Sequence, residues 1–157
     1  MIIDVVFKLY NILFQYVAIK IKKILVALDG SKNSFKCLDV AINLARQCHA
    51  SITCLYVLEI EKPQTNQQIS SLEKKLLLFA QKVMEKAKIE TTKHDILFFD
   101  TISYGHSGTR IVDIAQRKNF DMVVIGSRGM GSVKELFFGS TSNYVLHKSK
   151  KPVLIVR

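Results

Sequence analysis

Apolar residues along this chain follow two alternating rhythms. Ile24-Leu25-Val26-Ala27-Leu28, Ile52 to Leu58, Met122 to Ile125 and Val153 to Val156 are short, nearly unbroken runs. Runs of that length are what strands buried on both faces require. Between them apolar positions recur at steps of three and four, the spacing of a helix that turns one face to a core. Cys37, Leu38, Ala41, Ile42, Ala45 and Cys48 form the first such face, and Ser31 or Asn33 is placed to cap its start. A longer helix is predicted over about Gln67 to Lys88, with a core stripe of Ile69, Leu72, Leu76, Phe79, Ala80, Val83 and Ala87. Glu59 to Asn66, which holds Pro63, reads as the loop before it. Ile96 to Phe99 opens a third strand that extends toward Ser103. Gly105-His106-Ser107-Gly108 then turns the chain into a helix carrying Ile111, Ile114 and Ala115, and a last helix is predicted over Ser140 to Lys148.

Strands that alternate with amphipathic helices predict an α/β fold: a five-stranded parallel sheet sandwiched by helices, in a single domain. A length of 157 residues suits one domain with a substantial core. In such sheets ligands sit beyond the carboxyl ends of the strands, where the strand order reverses. Asp29 and the segment that begins at Gly126 both fall at such ends, so one crevice can use both.

Charge changes this picture little. Twenty-three basic against thirteen acidic residues give a net charge of +10, which attracts nucleic acid, anionic membrane or a phosphorylated ligand. The lysines are scattered, however, and no basic run is interleaved with aromatics, so no nucleic-acid partner is expected. Cys37, Cys48 and Cys54 lack metal-ligand spacing and read as reduced thiols of a cytoplasmic protein. Residues 1–21 are set apart as an apolar N-terminal extension, ahead of a domain over 22–157. Val5 to Ile19 is interrupted by Lys8, Asn11 and Gln15 and falls short of the roughly twenty apolar residues that span a bilayer. A membrane-surface helix making peripheral contact, an oligomerisation arm and an extension of little consequence all remain open for it.

The candidate chemistry lies in Gly126-Ser127-Arg128-Gly129, followed after nine residues by Gly139-Ser140-Thr141. A strand, a glycine-rich loop and a hydroxyl-bearing helix start together suggest a phosphate site, because amides at a helix start face outward with a favourable dipole. Two well-known glycine motifs fail here. Gly126 to Gly131 has the outer glycines of a P-loop, but Ser132-Val133 stands where Lys-Ser/Thr is needed, and Lys134 takes the place of the last glycine of a dinucleotide fingerprint. His106 and Ser107 read as a turn that caps a helix better than as a catalytic pair.

With these residues in view, Lys22 to Arg157 resembles the universal stress protein family. Ile24 to Ser31, the spacing G-x2-G-x9-G-S/T over Gly126, Gly129, Gly139 and Ser140, and Pro152 to Val156 carry the resemblance. It implies an adenine-nucleotide alpha-hydrolase-like, Rossmann-like fold and the family's ATP-binding branch. By the same resemblance Asp29 is the acidic nucleotide contact, or else only a helix cap, and Val57 flanks the adenine, or else is plain core. Gly126, Gly129 and Gly139 bring backbone close to phosphates and ribose, Ser140 and Thr141 add hydroxyls, and Arg128 and Lys134 neutralise phosphate charge or stand as solvated loop charges. The implied ligand is ATP, with Mg or Mn on its phosphates. The implied function is a nucleotide-responsive regulatory module in stress response; slow ATP hydrolysis and a membrane-associated adaptor are the alternatives. A homodimer through the Val153–Val156 strand completes the expectation.

Overall fold

The order of strands across the sheet decides where a ligand can sit. In the computed structural model, which describes residues 20–64, 70–129 and 139–157, five parallel strands run in the order β3-β2-β1-β4-β5. They are β1 (Lys23–Leu28), β2 (Ser51–Leu58), β3 (Phe98–Tyr104), β4 (Met122–Gly126) and β5 (Val153–Val156). Helices α1 (Lys32–Cys48), α2 (Ser71–Thr92), α3 (Ser107–Arg117) and α4 (Ser140–Lys148) connect them in turn. The expected five-stranded α/β sandwich is what the chain forms.

The chain steps outward from β1 to β2 to β3, then returns across the sheet to place β4 on the other side of β1. Parallel strands joined by crossovers of one hand put the helices of the two directions on opposite faces. Accordingly α1 and α2 pack on one face, where Leu38, Ala41, Val83 and Ala87 meet Ile24, Val26, Ile52 and Cys54. On the other face Ile111 and Ile114 of α3 and Val145 of α4 meet Leu25, Leu55, Val123 and Ile125. β1 is buried from Ile24 through Leu28, hence its unbroken apolar run.

Ser31 starts α1 as its N-cap, its Oγ accepting from Ser34 N at 3.1 Å. Asn33, the other candidate cap, lies inside the helix. α2 departs most from expectation. It begins at Ser71 behind a capping box, in which Ser70 Oγ accepts from Glu73 N and Glu73 Oε2 accepts from Ser70 N. It also runs past Lys88 to Thr92, since Ile89-Glu90-Thr91 contains no breaker. Its buried residues are Ala80, Val83, Met84, Ala87 and Thr91, whereas Leu72 is 64% exposed. The first buried residue of α2 is Ala80, so the apolar Leu72, Leu76 and Phe79 before it are not core, although the Phe79 ring meets Tyr56 of β2. Gln67 and Ile69 lie outside the described residues, as do Lys134 and residues 1–19. No helix among the described residues is long and apolar enough to cross a membrane.

Candidate functional site

Between β1 and β4 the order of connection reverses, and the carboxyl ends of these strands and of β2 enclose a cleft of about 490 Å³. Its floor is made by Ala27, Leu55 and Ile125, and Leu76 of α2 forms part of its wall. Eight of the nine residues singled out from sequence line it, and the ninth, Lys134, lies outside the described residues. Asp29 follows β1, Val57 lies on β2, Gly126, Arg128 and Gly129 follow β4, and Gly139, Ser140 and Thr141 open α4. Val57 also packs against the core on the α3–α4 side, so it joins cleft to core.

Backbone accounting shows how the two glycine segments are brought together. Ser127 N donates to Val156 O at 2.7 Å, which prolongs the β4–β5 pairing by one residue. Ser127 O accepts from Gly139 N at 2.8 Å, and Ser142 Oγ lies 2.9 Å from the same oxygen. Residues far apart in sequence are thereby clamped side by side. Gly139 is the N-cap of α4, in extended conformation and without a side-chain cap, and the first helical bond runs from Asn143 N to Gly139 O. The amides of Ser140, Thr141 and Ser142 precede that bond and have no partner within the helix. The first turn of α4 carries no acidic residue, while His147 and Lys148 close its last turn. The cleft therefore meets the positive end of a helix dipole.

The acidic side chains of the cleft are oriented by backbone donors. Asp29 Oδ1 accepts from Ser31 N at 2.9 Å, and Oδ2 lies beside Gly129. Asp29 thus braces the turn before α1, whose cap is Ser31 and not Asp29, and it still lines the cleft. Burial, and then the Asp29 carboxylate, push the Tyr56 phenol above its ordinary range. The same two causes push the Cys37 thiol up to about 11, as an inert core group requires. Glu59 Oε1 accepts from Ser107 N at 3.2 Å, so a carboxylate already faces the start of α3. His106 is the N-cap there and makes no side-chain capping bond within the helix.

Tyr56, Glu59 and Ser142 line the cleft and were not anticipated. Glu59 was within reach of the rule that led to Asp29, because it follows β2 as Asp29 follows β1. Ser140 is the first helical residue and not a cap, and it lines the cleft. Gly126, Gly129 and Gly139 do not have positive φ; Gly30, at φ 88° in the turn after β1, does, and the Phe79 ring covers it.

A sequence profile of the universal stress protein family matches residues 20–157. The universal stress protein YxiE of Bacillus subtilis is 31% identical over 145 residues, a match that covers 86% of this chain and 98% of that protein. The structure of protein MJ0577 of Methanocaldococcus jannaschii superposes with a TM-score of 0.78 at 29% identity, covering 87% of this chain and 96% of that one. A universal stress protein in complex with cAMP shares the fold, with a TM-score of 0.72 at 20% identity over 88% of this chain and 98% of that one.

Proposed function

The chain belongs to the universal stress protein family, and from that premise we propose that it is an ATP-binding, nucleotide-responsive regulatory module. The observation that carries this reading is the start of α4. Three amides without helical partners belong to residues that line the same cleft as Gly126, Arg128, Gly129 and Asp29. Phosphate oxygens accept from such amides, and a carboxylate accepts from ribose hydroxyls. The apolar floor gives the base a dry surface, and about 490 Å³ is within the ordinary range for a small-molecule pocket.

Among the described residues no group of three or more His, Cys, Asp or Glu side chains stands together. On this reading Mg or Mn arrives on the nucleotide, held chiefly by phosphate oxygens. Two copies pair through β5, an edge strand whose four apolar residues are only half-buried.

Denaturing freshly purified protein and identifying the released nucleotide by mass spectrometry tests the proposal. Near-stoichiometric ATP is the expected result. Protein that releases no nucleotide and gives no titration signal with added ATP would remove the reading. Release of cAMP in place of ATP would keep the cleft and change its ligand.

A further inference from the structure

We propose that Asn33 is a positioning residue for phosphate: its side-chain amide holds the Arg128–Gly129 peptide so that the Gly129 N–H faces the bound phosphates. This rests on the reading of the cleft as an ATP site and adds to it a residue outside the cleft lining.

Asn33 lies in the first turn of α1, on the opposite face of the sheet from α3 and α4. Its Nδ2 donates to Arg128 O at 3.0 Å across 95 residues of sequence. In a trans peptide the carbonyl and the next amide point in opposite directions, and no cis bond occurs among the described residues. Fixing Arg128 O toward α1 therefore aims Gly129 N–H away from α1, and both residues line the cleft. The bond is partly buried, so water competes with it less than it would at an open surface.

Two further observations fit the same arrangement. A Cβ on Gly126 would stand 2.5 Å from Asn33 Nδ2, so the amide occupies the volume that the first glycine of the motif leaves open. The capping duty of α1 is discharged by Ser31, which frees the Asn33 side chain for a long-range bond. The carbonyl just before, on Ser127, is fixed from the other side by Gly139 N and Ser142 Oγ. Successive carbonyls of the loop are thus tied down by protein donors, and the Gly129 amide is turned toward the ligand.

The test is titration of ATP and of adenosine into the full chain and its Asn33→Ala and Asn33→Asp variants, with urea unfolding of each. Removing one positioning bond is expected to lower ATP affinity roughly tenfold and to leave adenosine affinity within about twofold. Asn33→Asp sets a carboxylate oxygen against Arg128 O and loses more. In the wild type ATP shifts the Gly129 amide resonance, and in Asn33→Ala that shift shrinks. Equal losses for ATP and adenosine would make Asn33 a brace of the fold and overturn the proposal. ATP bound equally by wild type and Asn33→Ala would overturn it alone; a wild type that binds no ATP would overturn it together with the ATP reading. Should the variants fail to fold, the wild-type Gly129 resonance decides, and its indifference to ATP would sink the proposal.

Discussion

A Cβ added at Gly126 would stand 2.5 Å from Asn33 Nδ2 and 2.9 Å from the backbone oxygen of Arg128. At Gly129 it would stand 2.6 Å from Asp29 Oδ2, whereas at Gly139 nothing comes nearer than 3.5 Å. The three glycines of one motif therefore answer different demands. Gly126 makes room for an amide and Gly129 for a carboxylate. Gly139 has room for a side chain but sits at the N-cap, where its lack of one leaves the first amides of α4 unclaimed. Gly126→Ala should destabilise the protein by about 1–3 kcal/mol in urea unfolding, the usual cost of overpacking. Gly139→Ser should hold or gain a few tenths of a kcal/mol, because serine is a favoured N-cap, yet bind ATP more weakly because its Oγ takes an amide from the phosphate. Equal stability losses at the two positions would refute this division. The spacing of the motif was legible in the sequence; these reasons were not, because Asn33 and Asp29 come to the loop only through the β1–β4 pairing.

Helix starts in this chain are used in two opposite ways. α4 leaves its first amides to the cleft, while α2 satisfies its own through Ser70 and Glu73. Ser70→Ala should cost about 1 kcal/mol at neutral pH, the typical value of an N-cap. Bonding from Ser70, its backbone amide first and then its hydroxyl, holds the Glu73 carboxyl below its ordinary value of 4.5. A carboxyl lowered in the folded state stabilises above its unfolded value and loses that contribution as pH falls through the folded one. The melting-temperature deficit of Glu73→Ala should therefore be present at pH 7 and close as pH drops below about 4.5. A deficit that persists unchanged in acid would show that the carboxylate has no part in it. Ser70-x-x-Glu73 was readable as a helix start, and the pattern of Leu72 and Leu76 pointed elsewhere because it takes every apolar residue at helical spacing as core. Periodicity finds a helix face; it does not reveal that burial along that face begins only at Ala80.

At the scale of the whole molecule the two edges of the sheet differ. β3 exposes the charged Asp100, a usual guard against edge-to-edge pairing, whereas Val153 to Val156 of β5 carries no charge. Leu154 and Val156 reach the α1–α2 core and Val153 and Ile155 the α3–α4 core, each only in part. A second copy related by a two-fold axis would pair β5 with β5 antiparallel and cover apolar surface on both faces of the sheet. The two clefts would then open toward opposite ends of the joined sheet. Sedimentation at micromolar concentration should show a dimer of 17.8 kDa chains, and Ile155→Lys a monomer with the circular dichroism of the wild type. Salt separates this interface from one held by ion pairs. Each chain bears a net charge of +10, so two copies repel at long range while apolar strands attract on contact. Raising ionic strength from about 0.01 M to about 0.15 M shortens the screening length from roughly 30 Å to roughly 8 Å and should tighten the dimer. A dimer that loosened over that range would be joined by opposite charges and not by β5.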